Sequence, residues 1–481
     1  MSIVKRQKDY GLSMNLSKCE LFDPFSLCSH ACNAPYISPF EEMKCISTSE
    51  ASLLGSPLFP QSADVVFNEK LDSMNNLVDL LSDLDSHYGF YILKNCFFIP
   101  KFLYILRTYP YYQLPHLLLK FDDLQRRSLE TIINVTLQPE SCNQAFLPVK
   151  FGGLGMRRAT DLSLPAFISS SIGVAKTVSD VFPAFSTDCD LHHALSVWES
   201  KCTTSSTPSH EHAAIQKVWD LPIVKSQYAA IMDSVTDAKT KARLLSVSSK
   251  GSSAWLNAIP LPNLGLKLSN EQLRISIALR LGADVCLPYS CKCGAQVDSS
   301  GVHGLSCRFN KGRTARHAEA NDIIRRALVS AGLPAVLEPQ GLCRADGKRP
   351  DGATLGPWSK GKQLVWDFTC VDTLALSNLP TSSQGAGKLA STAEHKKRTK
   401  YEDLLHAYAF CPIAVETFGA WGFEAQSFIE TVGRKIADAT GEGRATLFLR
   451  QRISMAVQRG NAVSVISCFP ELSNLGELDF L

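Results

Sequence analysis

LVWDFTCV, residues 364–371, alternates with a period of two. Leu364, Trp366, Phe368 and Cys370 fall on one face of such a strand, and Val365, Asp367, Thr369 and Val371 on the other. An aspartate inside a strand this apolar is destabilising unless it is paired or binds a cation. Upstream, RPDG (residues 349–352) places a second aspartate, Asp351, in a Pro-Asp-Gly turn. Downstream, Ser391 and Glu394 have capping-box spacing, which predicts a helix starting there. Ala393, Lys397, Tyr401, Leu404 and Tyr408 would then share one face, with Lys397 either snorkelling or turned to a functional task. ARHAEANDIIRRAL (residues 315–328) reads as another helix, with His317, Ile324 and Leu328 on its apolar stripe and Asn321 beside it. A histidine so placed is usually a satisfied core residue.

Before this region, CKCGAQVDSSGVHGLSC sets Cys291, Cys293, His303 and Cys307 in a C-x-C-x9-H-x3-C arrangement. Thiolates and an imidazole suit tetrahedral Zn²⁺, although C-x-C is tighter than the usual gap. Spacing alone leaves zinc ligation and a group of buried free thiols equally open, and Cys286 is a spare donor. The chain has 16 cysteines with no repeated disulfide framework, and its opening stretch has no apolar core region, so no signal peptide is expected. These features point to a reducing compartment. The 481 residues suggest several domains. A formal net charge of +3 does not mark the whole chain as a polyanion binder. Residues 308–362, however, hold 11 Lys or Arg against 5 Asp or Glu, and a basic segment of this kind favours phosphate contact. The richest apolar stretch, residues 90–106, is broken by Lys94, Asn95, Pro100 and Lys101; it reads as buried helix, and no membrane partner is expected.

The remaining chain is mostly helical in pattern. Leu71, Met74, Leu77, Leu80 and Leu81 recur at helical spacing, as do Leu117, Phe121, Leu124 and Ile132. LPVKFGGLGMRRATDL (residues 147–162) is a Gly-punctuated turn leading into another helix. Residues 203–212, TTSSTPSHEH, are the best linker.

Taken in order, several of these pieces resemble the C-terminal part of non-LTR retrotransposon proteins. MNLSKCELF (residues 14–22), with Asn15 and Lys18, and SLLGSPL (residues 52–58) are similar to the last two palm motifs of their reverse transcriptases. Residues 147–170 resemble the thumb and connection segment. The Cys-Cys-His-Cys group resembles the zinc knuckle of the restriction-like elements. The helix at 315–328, RPDG, VWDFT and AEHKKRTKY follow in the order of their PD-(D/E)xK endonuclease. The resemblance implies a multidomain α+β chain: a palm remnant at 1–60, thumb helices at 61–175, a helical linker region at 176–280, a zinc knuckle at 281–312, an endonuclease at 313–440 and a C-terminal helix and tail at 441–481. It implies a mainly helical N-terminal half and a C-terminal α/β restriction-endonuclease-like core.

It further implies target-DNA nicking with structural Zn²⁺ and catalytic Mg²⁺. Asp351 and Asp367 would hold the metal, Lys397 or Lys400 would replace the motif lysine, and His317 would take an orienting role. Glu319 or Glu338 would supply a third carboxylate. Arg313, Arg316, Arg325, Arg326, Lys348 and Arg349 would contact the DNA backbone. Nuclear localisation and DNA as partner follow, with the element's RNA as a second candidate. Thr369 departs from the family, which has lysine there; this favours the alternative of a catalytically dead or host-adopted nucleic-acid-binding protein. The polymerase's catalytic Asp pair should lie before residue 14 and is missing there. KFDD (residues 120–123) lies downstream and reads as a solvated helix face. Polymerisation needs clustered carboxylates, so template-primed nucleotide incorporation is expected to stay at background.

Overall fold

The computed structural model describes residues 15, 18–22, 44–182, 188–202, 207–209, 211–342 and 349–470. Part of the expected linker (203–206 and 210), Lys348 and three residues of MNLSKCELF (14, 16 and 17) lie outside the described residues. The fold is mixed α+β, dominated by helices with small sheets. Two compact units emerge. One comprises Met1–Asp79, Phe98–Leu124 and Ala159–Asp220; the other comprises Leu80–Phe97, Gln125–Arg158 and Leu221–Leu481.

In the first unit, the predicted periodicity forms the helix Pro60–Ser82, and its Phe67 packs edge-on against Phe102, 5.1 Å between rings. Phe102 in turn meets Phe121 at 4.7 Å. Asp122 of KFDD is not on a solvated face: it accepts hydrogen bonds from the backbone N–H of Ala159 (2.6 Å) and from Thr160 Oγ1 (2.6 Å). It therefore caps the helix Ala159–Val181 from another element. Burial pushes its carboxyl up to about 6 despite those bonds. The apolar stretch after residue 86 has the length and composition of a membrane span if taken as one helix. It is broken into Ser86–Asn95, which belongs to the second unit, and Ile99–Thr108, with Pro100 in the first turn of the latter. Each piece is about 15 Å long, half of a bilayer's hydrocarbon core.

The second unit holds the region around LVWDFTCV. Its elements there are α1 (Gly312–Ser330), β1 (Ala335–Leu337), β2 (Gly352–Ser359), β3 (Lys362–Val371), α2 (Lys388–Lys400), β4 (Ala409–Glu416), α3 (Phe423–Thr440) and α4 (Ala445–Ile466). The sheet order is β4-β3-β2-β1; β4 is parallel to β3, and the other pairs are antiparallel. The predicted alternation of β3 is realised. Leu364, Trp366 and Phe368 face a core built with Ile324, Leu328, Ile413, Phe428, Ile429, Ile453 and Val457 from α1, β4, α3 and α4. Val365 faces the other side, where it meets Ala353, Tyr401 and Phe410. The C-terminal helix α4 thus shares the core of the α/β segment.

Helix α2 departs from the expected start. It begins at Lys388, so Ser391 and Glu394 lie inside it. Their oxygens serve a different helix. Ser391 Oγ accepts from Phe423 N–H (3.3 Å), and the Glu394 carboxylate accepts from the N–H groups of Glu424 (3.0 Å) and Ala425 (2.8 Å). The capping-box pair caps α3 in trans. A Cβ on Gly422 would fall 2.2 Å from the Glu394 carboxylate, so a side chain there would displace the capping group. The helix also ends earlier than expected, at Lys400; Leu404 and Tyr408 are not part of it. Tyr401 leaves the helix to donate from its hydroxyl to the Arg349 carbonyl (3.0 Å).

Glu416, at the end of β4, closes the set. It is buried, takes a hydrogen bond from Thr373 Oγ1 (3.2 Å), and lies against the N–H groups of Gly387 and Ala390 at the start of α2. Burial pushes its carboxyl up to about 7, against those bonds. A folded-state pKa above the unfolded value means the protonated form stabilises the fold below about pH 4.5, and that contribution is lost as pH rises through about 7. Glu416→Gln should therefore match the parent in thermal unfolding near pH 5 and exceed it above pH 8. A difference that does not change with pH would contradict this placement.

Candidate functional site

The two aspartates are brought together by strand register. Gly352 stands opposite Trp366, and Ala353 opposite Val365. The paired register ends at Gly352: Asp351 N–H donates to the Trp366 carbonyl (3.0 Å) and Phe368 N–H donates to the Asp351 carboxylate (2.6 Å), so Asp351 lies against β3 beside Asp367. Two irregularities between Ala353 and Ser359, around Pro357, are required for this register. The register next to the turn pairs Ser359 with Lys362; continued without the irregularities, it would place Thr369 opposite Gly352.

Asp367 is 3% exposed, and its Oδ1 is buried without a hydrogen-bond donor. The amine of Lys397, on α2, lies 2.5 Å from that oxygen. The approach is off the hydrogen-bonding direction, so the contact is a charge pairing. Lys397 keeps 27% of its side chain open to solvent, so the pair is reachable from outside. Asp351 is held by two contacts on one oxygen: Phe368 N–H donates to Oδ2 at 2.6 Å, and His317 Nε2 lies 3.0 Å from it. Oδ1 is left to offer a cation. Two carboxylates in this setting repel unless a positive charge lies between or beside them.

His317 does not sit in the core as a bland residue. Trp366 Nε1 donates to Asn321 Oδ1 (2.9 Å), which turns the Asn321 amide nitrogen toward His317 Nδ1 (3.3 Å). Nδ1 then accepts, and Nε2 carries the proton facing Asp351. The Asp351 carboxylate raises the imidazole pKa above its ordinary value, chiefly by that hydrogen bond, against burial; Asp367 adds to the rise and Lys397 opposes it. All four side chains thus share one electrostatic neighbourhood. The spacing of His317 and Asn321 on α1 is i, i+4, which is why both reach the same strand.

The other expected residues are distributed differently. Lys400 contacts Tyr401, its amine 2.9 Å from the hydroxyl and over the ring. Glu319 is ion-paired to Arg459, and Glu338 to Arg349; neither carboxylate is directed to the Asp351–Asp367 pair, although Glu338 N–H donates to the Asp351 carbonyl (2.8 Å). Arg316 is 2% exposed and donates to Asn461 Oδ1 (2.5 Å), so it cannot meet a DNA phosphate. Its spacing to Ala320, Ile323 and Ala327 was a signal of burial. Arg325 and Arg326 both pair with Asp322. Arg313 is exposed.

A second cluster lies in the same unit. Cys291, Cys293, His303 and Cys307 place one ligand atom each within 4.8 Å of the others, a group that could hold a metal ion such as zinc. Cys291 Sγ and Cys307 Sγ are 3.6 Å apart, too far for a disulfide. A tetrahedral ion with Zn–S of about 2.3 Å requires about 3.8 Å between sulfurs, so the donor set fits. Cys293 Sγ is 3.3 Å from His303 Nε2. The hairpin Tyr289–Ser290 with Gln296–Val297 carries the first two cysteines, and a short helix, His303–Ser306, presents the histidine. Cys286 is outside the group, its thiol turned to the carbonyls of Asp298 and Ser299. Sequence reasoning missed Cys468, just past the end of α4, which is fully buried against Cys291, Val297 and Cys307. Its separation of 161 positions from Cys307 gave no signal. No family model matches the chain, and no curated protein matches it in sequence.

Trp366 is the keystone of the aspartate site. A Cβ on Gly352 would lie 2.1 Å from its ring. Burying an aromatic ring of 150–250 Å² contributes about 4–6 kcal/mol, so the ring will not yield and the strand must shift. Gly352→Ala should lower stability by about 1–3 kcal/mol in thermal or denaturant unfolding. Gly356→Ala, where a Cβ meets nothing within 4 Å, should be close to neutral. Equal effects of the two would contradict the seating of Trp366 over Gly352.

Proposed function

We propose that this chain derives from a non-LTR retrotransposon protein and that its C-terminal α/β unit is a metal-dependent DNA endonuclease acting in the nucleus. What carries the reading is the pair of carboxylates Asp351 and Asp367, both acting on His317, with the Lys397 amine on the buried Asp367. Lys397 balances one of the two acids; a second carboxylate, Asp351, in the same neighbourhood is what a cation would complement.

Asp351 and Asp367 would hold Mg²⁺ through oxygen. Bound there, the ion would supply a lowered pKa for an attacking water and charge compensation at the scissile phosphate. The chain's own residues do the rest. His317, fixed by Asn321 and Trp366, holds Asp351 in one orientation. Lys397 neutralises Asp367 and, being partly open to solvent, can turn its amine to a negatively charged phosphate oxygen. It would take the place of the lysine that Thr369 does not provide. Arg313 and the exposed lysines of α2 would meet the DNA backbone. The Cys291, Cys293, His303 and Cys307 group would bind structural zinc, all four positions being filled.

A second reading is specifically favoured by Thr369 and by Lys397 lying directly on Asp367: a protein that holds DNA or RNA without cutting it. A supercoiled-plasmid assay separates the two. The natural chain should convert supercoiled to open-circle DNA only with Mg²⁺, and Asp351→Ala or Asp367→Ala should abolish this while DNA binding survives. No Mg²⁺-dependent nicking by the folded chain, with binding intact, would establish the second reading. Metal analysis should find about one zinc per chain, lost in Cys307→Ser together with stability of the unit; a variant that keeps its zinc would show the ligand set to be wrong.

A further inference from the structure

On the outer side of α2 lies a cleft of about 580 Å³ that the proposed chemistry does not use. It is bordered by Gln384, Lys388, Thr392, His395, Phe423 and Gln426, with Trp421 also in its wall. Lys388, Thr392 and His395 recur at helical spacing on α2, and Phe423 is the first residue of α3. No carboxylate lines it.

Phe423 is the unexplained residue. It is 78% exposed, at a helix position where neither capping nor packing calls for an aromatic ring. Its backbone is nevertheless fixed firmly. Phe423 N–H donates to Ser391 Oγ, the next two N–H groups donate to Glu394, and Gly422 is pressed against that carboxylate. A rigid backbone presents a bare aromatic face beside a lysine, a histidine and two amide side chains. One end of Gln426 is tied to the Trp421 carbonyl (3.2 Å).

We infer that this cleft binds a nucleotide of a single-stranded polynucleotide, with the base stacked on Phe423 and the flanking phosphates met by Lys388 and His395. Stacking on an aromatic ring is the sequence-tolerant way to hold an unpaired base, and it is combined with positive charge tracking the backbone. Lys388 and His395 are seven residues apart, about 10 Å along the helix axis, so the two side chains flank the ring's neighbourhood rather than one point. The inference rests on the nucleic-acid reading above but not on cleavage. Lys397 leaves α2 on a different face, toward Asp367, so the cleft is an exosite that holds strand near the cutting site.

The test uses the full chain without Mg²⁺ and two fluorescent probes, a 12-nucleotide oligo-dU and a 12-nucleotide oligo-U, followed by anisotropy. Phe423→Ala should weaken binding about tenfold, while Phe423→Tyr restores it. Lys388→Ala should weaken binding and reduce its salt dependence by about one phosphate contact. Loss on both probes identifies base and phosphate as the recognised chemistry; loss on one alone identifies the sugar the cleft prefers. Should Phe423→Ala unfold, Thr392→Trp, which would fill the cleft from an exposed position, must block binding. Binding of Phe423→Ala within twofold of the parent, at unchanged thermal stability, would overturn the inference. Strand binding that depends on Phe423 in a chain that does not nick plasmid would leave the inference standing and remove the nuclease.

Discussion

A carboxylate at 3% exposure between Trp366 and Phe368 is the constraint around which the α/β unit is arranged. Taking an ionised carboxylate out of water costs several kcal/mol even after relaxation, so the fold must bring positive charge to Asp367 and keep it there. Lys397 answers that requirement, and its placement makes the angle and axial position of α2 matter. Asp351 adds a second negative group on the same face, held in place by a backbone N–H and by His317. Two acids and a lysine brought together in this way are costly as structure alone, and the proposed cation would account for them.

The helices around this position are fixed by carboxylates from elsewhere in the chain. Glu416, from β4, lies at the start of α2; Glu394, from α2, caps α3. Glu394 accepts from backbone donors that would otherwise lack partners, Glu416 lies against such donors, and both are buried. The chain β4, α2, α3 is therefore linked end to end by polar contacts with fixed directions, and Lys397 and Phe423 ride on two of its members. Buried networks of this kind specify one arrangement more than they add stability. Asp122 plays the same part in the other unit, capping Ala159–Val181.

The sequence made some of this legible and not the rest. Period-two alternation in LVWDFTCV correctly assigned faces, because that period is a local property of the chain. The donor group Cys291, Cys293, His303 and Cys307 was readable because its members are near neighbours along the chain. Register was not readable: whether Trp366 or Thr369 faces Gly352 depends on irregularities around Pro357, and only the proline hinted at them. The Ser391–Glu394 spacing was read as a local cap because the pattern is the same whether the helix served is its own or a neighbour's. Arg316 was grouped with surface arginines by charge, although its helical spacing to Ala320 and Ile323 marked the buried face. Cys468 and Glu416 act across long separations, and one sequence offers no measure of those.

The central claim is that the Asp351–Asp367 face is built to take a divalent cation in competition with Lys397. Titration of the full chain with Mn²⁺, followed by electron paramagnetic resonance, tests it without any nucleic acid. The account predicts about one bound Mn²⁺ per chain at this face, lost in Asp367→Asn and bound more tightly in Lys397→Met, where the competing ammonium is gone. Failure of the folded chain to bind Mn²⁺, or equal binding by Asp367→Asn, would contradict it.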